Sequence, residues 1–275
     1  MGLMELRKKP HLSSSSINDY VECGLLYKLG RIDHIPMEFK PDSLEFGSII
    51  HLVLGEFYQE RMMGNSLLLK DIHYLFEKHW GKWEGNLSIK YSKGKDFNSI
   101  LIGGKDLLSA WYNKLPKDNF RILSIEEGFS FYIPGLPIPI IGATDLVEED
   151  DSGTIIITDW KTAGKSYSND DVDNNMQLTI YQMAAKANGF KNRETLLKFD
   201  VLIKTKKPDF KQYWTSRDEI DEKRVIKKIS ACWEGIKKGV FIPNDTSWKC
   251  KNCSFKTACN EWFLTWGMGR SFKIQ

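Results

Sequence analysis

Apolar positions recur with two different periods along this chain, and the change of period divides it. Up to about residue 115 the spacing is helical. Ile17, Tyr20, Val21 and Leu25 form one stripe behind a serine-rich start, with Ser15 or Ser16 as the expected cap and Asp19 three residues after Ser16 as its partner. Ile50, Val53, Leu54 and Phe57 form a second stripe over residues 46–62. Two further helical pieces are expected at 67–83 and 100–115. Residues 31–45 hold two prolines and no clear period, so they read as a loop. The stretch NLSIKYSKGKDFNS, residues 86–99, is polar and expected to be mobile.

Beyond Phe120 the period shortens. Strands are predicted at 121–133 and 138–148, with Pro134-Gly135 and Pro137 turning the chain between them. Asp150-Asp151-Ser152-Gly153 closes a hairpin into a third strand, 154–161, whose isoleucine run points to burial on both faces. A polar loop, GKSYSNDD, leads to a helix over 172–187. A fourth strand at 197–204, a fifth at 212–216 and a charged amphipathic helix at 218–238 follow. The order helix, three strands, helix, strand predicts an α/β core. A single domain over 1–275 is expected, with a helical insertion at 65–118 and a cysteine-bearing end at 240–275.

Composition narrows the class. Hydrophobic residues make up 41% and charged residues 27% of the 275, which is typical of folded domains and excludes general disorder. A net charge of +3 permits an anionic partner without demanding one. No apolar run approaches the roughly 18 residues a membrane span needs. The start, MGLMELRKKPHLSSSS, has no apolar segment behind its basic residues, so a cytoplasmic protein is expected. In that setting the cysteines point to a metal site rather than to disulfides. Three stand close together as Cys250-x2-Cys253-x5-Cys259, one lies far upstream at Cys23, and Cys232 stands apart as a buried non-ligand.

The chemistry concentrates in the central hairpin. Its two strands bring Asp145 and Asp159 side by side, and strand alternation puts Asp159 and Lys161 on one face with Trp160 on the other. Two close carboxylates repel each other, and a divalent cation removes the repulsion; hard oxygen ligands suit Mg²⁺ or Mn²⁺. The lysine would then face a phosphate. An isolated Asp-x-Lys is more often an ordinary surface ion pair, so the flanks decide. Gln177 and Tyr181 are four apart on one helix face, able to turn toward the strand ends or simply to pack. His51 lies between Gly47 and Gly55, a helix row with no bulky side chain, so a neighbour can approach the imidazole. On its own that residue reads more readily as a satisfied core histidine. Lysines cluster at 90, 93 and 95, at 204, 206 and 207, and on the last long helix at Lys223, Arg224, Lys227 and Lys228. These are solvated faces made of the residue types that contact phosphates.

Taken together, His51, Asp145, Asp159-x-Lys161 and Gln177-x3-Tyr181 resemble the PD-(D/E)XK nuclease superfamily and its RecB-like branch. SSSSINDYVECGLLYKLGRI, FGSIIHLVLGEF, GATDLVEEDDSGTIIITDWKT and NMQLTIYQMA carry the resemblance; residues 65–120 match nothing comparable. Thr144 stands where the family name places proline, a position without a ligand. The resemblance implies a restriction-endonuclease-like fold and a DNA exonuclease dependent on Mg²⁺ or Mn²⁺. It implies a metal held by His51, Asp145, Asp159 and the main-chain carbonyl of Trp160. Lys161 would be catalytic, with Gln177 and Tyr181 in support. Glu126, Glu127 and Glu56 are candidates for an additional carboxylate. One cysteine ahead of the core and three behind it resemble the iron–sulfur members, the CRISPR-adaptation exonucleases and AddB nuclease domains. That implies a [4Fe-4S] cluster on Cys23, Cys250, Cys253 and Cys259, shielded by Trp233, Trp248, Trp262 and Trp266, with Zn²⁺ as the alternative. DNA, single-stranded or with free ends, is the implied substrate. A helicase or a recombination or CRISPR protein is the implied partner, since no phosphate-binding G-x4-G-K-[ST] loop occurs. A catalytically silent nucleic-acid-binding relative, an endonuclease of the same fold and a zinc-ribbon protein with incidental acids are the competing readings.

Overall fold

The computed structural model describes residues 2–118 and 120–265. Its centre is a mixed five-stranded sheet in which spatial order follows chain order: β1 (Arg121–Phe131), β2 (Ile140–Glu149), β3 (Ile155–Ala163), β4 (Thr195–Ile203) and β5 (Asp209–Thr215). Neighbours are antiparallel except β3 and β4, which run parallel because a helical crossover joins them. The helices are α1 (Ser14–Glu22), α2 (Asp42–Met62), α3 (Leu69–Gly81), α4 (Phe97–Lys114), α5 (Met176–Ala185), α6 (Glu219–Lys237) and α7 (Lys256–Thr265). None is long and apolar enough to cross a membrane.

Each sheet face has its own core. On one face Ile17 of α1, Ile180 of α5 and Ile229 of α6 pack on Val147, Ile157 and Phe199. On the other, Ile50 and Leu54 of α2, Phe76 and Trp80 of α3 and Trp111 of α4 pack on Leu146, Trp160 and Leu202. Ile155, Ile156 and Ile157 are all buried, as a strand covered on both sides requires.

Four local expectations change. α1 is capped two or three residues earlier than expected, with Ser13 and Ser16 forming the reciprocal cap, so Asp19 is not the partner. Residues 31–45 are not all loop: α2 starts at Asp42 directly after Pro41, with Asp42 and Glu45 suiting the positive end of the helix. Lys40 and Pro41 pair in parallel with Ile89 and Lys90, so part of the polar stretch 86–99 is anchored, and Ile89 is buried. Its end is ordered too, because Asp96 and Ser99 cap α4. The helix expected over 172–187 is broken: a short turn, Asn169–Asp173, precedes α5. The Asn175 side chain caps α5, accepting from Gln177 N at 2.9 Å.

Candidate active site

β2 and β3 pair only over residues 146–149 and 155–158. Beyond that ladder they part at Asp145 and Asp159, while β3 stays paired with β4 through Ala163. The fork is bridged by a side chain: Trp160 N donates to Asp145 Oδ2 at 2.7 Å. The Trp160 indole points the other way, as alternation predicts, and stacks on Tyr58 with ring centroids 5.6 Å apart.

His51 enters the fork from α2. Its Nδ1 lies 3.5 Å from Asp145 Oδ1 and 3.9 Å from Glu126 Oε1. Glu126 reaches it through an irregularity in β1. Ile125 pairs with Leu146 and Glu127 with Thr144, and Glu126 stands outside the ladder with φ 50°. A non-glycine residue in that region costs of order 1–3 kcal/mol and marks a functional constraint more often than chance. The glycine row on α2 faces these neighbours at ordinary contact distance, so their approach does not require the absence of side chains. A Cβ at Gly55 would lie 3.8 Å from Glu126 Cγ, and one at Gly47 3.6 Å from Thr162 Oγ1. His51, Glu126 and Asp145 each offer a ligand atom within 4.8 Å of the other two, the one such group among the described residues.

Asp159 stands beside this group rather than in it. It is 1% exposed, and Lys161 Nζ lies 2.5 Å from its Oδ2. Tyr181 OH donates to Asp159 Oδ1 at 3.0 Å, Gln177 Nε2 donates to Tyr181 OH at 2.8 Å, and Lys161 Nζ donates to Gln177 Oε1 at 2.9 Å. The four side chains thus form a closed ring, and each amide and hydroxyl is used in the sense its chemistry allows. Asp159 Oδ2 has no hydrogen-bond partner among the described residues apart from the ion pair with Lys161. Of the other carboxylates, Glu56 is committed to His79 on α3 at 2.5 Å, and Glu127, exposed like Glu126, lies outside the group that converges within 4.8 Å. The residue that spacing alone could not single out is therefore Glu126.

The electrostatics match this geometry. Burial pushes the Glu126 carboxyl up to about 7, with Asp145 and Asp159 adding and His51 opposing. Burial disfavours the His51 cation, but its hydrogen bond to Asp145 and the charges of Asp145 and Asp159 outweigh that and raise it. Burial likewise opposes the Lys161 charge, yet Asp159 holds the ammonium above its usual range. Burial first, then Asp159, keeps the Tyr181 phenol protonated and a donor. Three groups that would bind a cation and one fixed ammonium thus share a half-open fork.

The cysteine end is separate from the fork. Cys23, Cys250, Cys253 and Cys259 are half-buried free thiols lining one cavity of about 1640 Å³. The C-terminal segment reaches Cys23 because position 24 has no side chain: a Cβ there would sit 2.7 Å from Ile242 N. Tyr20 OH donates to Val240 O at 2.7 Å, Ser247 Oγ to Glu22 at 2.6 Å, and Asn244 N to Cys23 Sγ at 3.4 Å. Cys259 is pushed up by burial, with the nearby Cys23, Cys250 and Cys253 adding and Lys256 opposing. Cys232 is buried against the α1/α5/α6 core, and Trp233 packs there too. Trp262 meets Phe263 edge-on, while Trp266 and the side chain of Trp248 lie outside the described residues.

The site is thus a mixed sheet, covered by helices on both faces, with paired acids and a lysine at a strand fork. A family model of the PD-(D/E)XK nuclease superfamily matches residues 11–260, and the chain belongs to that superfamily. Its members use divalent metals. The fold is shared with the crystal structure of a "Putative exonuclease" from Eubacterium rectale, at a TM-score of 0.53 and 11% identity over 88% of this chain and 87% of that one. The crystal structure of SSO0001 aligns at a TM-score of 0.35 and 17% identity over 78% and 97% of the two chains. Among proteins of curated function, none matches this sequence.

Proposed function

We propose that this chain is a deoxyribonuclease of the RecB-like branch, dependent on Mg²⁺ or Mn²⁺, that degrades DNA from its ends. The observation that carries the reading is the fork: His51, Glu126 and Asp145 converge within 4.8 Å of one another beside a buried Asp159–Lys161 pair. Asp159, buried and reached at Oδ2 only by the Lys161 ammonium at 2.5 Å, is a hard oxygen donor next to the three-residue group, which fits it as a further ligand with the Trp160 carbonyl. Glu126 joins the ligands that the family resemblance implies. A divalent ion bound there would polarise the scissile phosphate and lower the pKa of a bound water.

The chain's own residues do the rest. Lys161, fixed by Gln177 and Asp159, places an ammonium where charge develops on the phosphate oxygens. Tyr181 and Gln177 hold that ammonium in register, and His51 and Asp145 orient each other across the fork.

The cysteine end is proposed to hold a [4Fe-4S] cluster. The four thiols face one cavity, yet no three of them gather within 4.8 Å. A single tetrahedral Zn²⁺ with bonds of about 2.3 Å needs its sulfurs about 3.8 Å apart, so the wider spacing suits a larger cluster. Such a group would tie the C-terminal segment to α1. The chain is proposed to act as one domain in the cytoplasm, with residues 65–118 inserted and with a helicase, recombination or CRISPR protein supplying unwound ends.

Digestion of end-labelled single- and double-stranded DNA with Mg²⁺ or Mn²⁺ tests the reading. Wild type should release labelled mononucleotides or short oligonucleotides, and Lys161→Ala should not. Uniform internal cutting of closed circles by wild type would replace end-directed action, and a wild type without turnover would leave a binding protein.

A further inference from the structure

The cavity that holds the cysteines extends to the carboxyl ends of β3 and β4, where Thr162 and Lys204 line it together with Lys90, Lys93, Phe39 and Tyr91. Ligands of open α/β sheets bind outside those strand ends. Lys204 N donates to Ala163 O at 2.7 Å, and Ile203 pairs with Ala163, which places Lys204 three residues, about 10 Å of strand, beyond the level of Lys161. The Lys204 ammonium is largely buried over the ring of Phe46, 4.9 Å from its centroid, and has no hydrogen bond or ion pair among the described residues. Lys90 lies over Phe39 at 4.1 Å and, like Lys93, has no carboxylate partner there. The acid nearest Lys204 is Asp42, which is spent elsewhere: it accepts from Ser43 N, Ser92 N and Ser92 Oγ. Burial with Lys95 nearby weakens the Lys204 charge, which an arriving anion would restore.

Three unpaired lysines, with aromatic rings between them, therefore form one wall between the fork and the cysteine end. We propose that this wall carries the sugar–phosphate backbone of a single DNA strand running from the fork to the cysteine end, with Lys204 holding the phosphate nearest the reacting one. The proposal deepens the nuclease reading and rests on it. A single strand is favoured because the aromatic rings of Phe39 and Tyr91 line the same cavity as the lysines, and unstacked bases, unlike those of a duplex, can pack against rings.

The test measures binding of fluorescent oligo-dT and of a duplex of equal length to the full chain in EDTA, across salt concentrations. Wild type should prefer the single strand. Lys90, Lys93 and Lys204 changed together to alanine should weaken oligo-dT binding at least about tenfold. The same change should flatten the salt slope by about 2, at about 0.7 per lost phosphate contact. Lys204→Arg should bind like wild type, and thermal melting should show that every variant is folded. Removing Lys223, Arg224 and Lys227 from α6 is the control and should change nothing. Under Mg²⁺ the triple variant should raise KM with kcat little altered. An unchanged slope in the triple variant, an equal loss in the α6 control, or no preference for single strands would overturn the proposal. A wild type that binds through these lysines but cleaves nothing would instead sink the nuclease reading and leave this one standing.

Discussion

Lys161 and Lys198 stand on adjacent strands, β3 and β4, and each has an aspartate two residues away on the same face: Asp159 and Asp200. Each aspartate has a nearly buried setting, and a glutamine completes each group. Gln177 accepts from Lys161, and Gln212 donates to Asp200 Oδ1 at 2.9 Å. The two groups occupy opposite faces of one sheet. They differ in access and tightness. The Lys161 side chain is 25% exposed and 2.5 Å from its aspartate; the Lys198 side chain is 3% exposed, 3.7 Å from Asp200 and 4.0 Å from Glu148, with Trp214 covering it. The first opens beside a histidine and two more acids at a strand fork, and the second is sealed beneath helices α2–α4. An acid–lysine pair buried in a sheet is thus not a catalytic signature by itself. The fork supplies what the sealed group lacks, a path by which a phosphate can reach the lysine.

The largest expected effect follows from that difference. Lys161→Ala should lower metal-dependent DNA cleavage by the folded protein about 10³-fold or more, the scale of losing a preorganised charge at the reacting phosphate. Lys198→Ala should do the reverse. Removing one partner of a buried ion pair costs about 3–5 kcal/mol, so the variant should melt well below wild type while the folded fraction cleaves normally. Parallel assays of activity and thermal denaturation separate the two; loss of activity at full stability in Lys198→Ala would erase the distinction.

A smaller effect is expected from pH. Burial pushes Glu148 up to about 7, with Lys198 opposing and Asp200 adding, from an ordinary value of 4.5. Because the folded value is the higher one, the folded state binds the proton more tightly. The stability this contributes is complete below about 4.5 and is lost as pH rises through about 7. The loss is at most about 3 kcal/mol. Glu148→Gln keeps the shape without the titration, so its melting temperature should fall less than that of wild type between pH 4.5 and 7. Identical pH profiles would mean that Glu148 keeps its proton affinity unchanged on folding.

Much of the fork was legible because its information is local. Asp-x-Lys on a strand, Gln-x3-Tyr on a helix and a histidine between glycines at i±4 each depend only on element period, and the elements formed. The five-strand order was legible for the same reason, since each strand lies beside its sequence neighbour. What escaped was set by distant or irregular contacts. Glu126 was one of three carboxylates until its left-handed backbone, φ 50°, was seen beside His51, and no period encodes a single positive φ. The pairing of Lys40–Pro41 with Ile89–Lys90 joins segments some fifty residues apart. The sealed Lys198 group carried no warning, because a lysine in an apolar strand shows neither its partners nor its cover.

The finest test of the comparison is Tyr181→Phe. It removes one hydroxyl from the ring around Lys161 and leaves the aromatic body that meets Phe129 edge-on, so packing is preserved. The hydroxyl donates to Asp159 and accepts from Gln177, and without it both partners lose a buried contact and Lys161 loses one of its restraints. Supporting contacts of this kind are worth about 10- to 100-fold in metal affinity or activity, and a ring that keeps its Lys161–Gln177 bond should sit at the lower end. The expected result is a fall in kcat of about tenfold with KM for DNA unchanged, because no phosphate contact is removed. Gln212→Leu in the sealed group takes away a bond of the same kind and should leave kcat untouched. Equal loss of kcat in both variants would show that the two lysine groups are coupled through the sheet rather than divided by it.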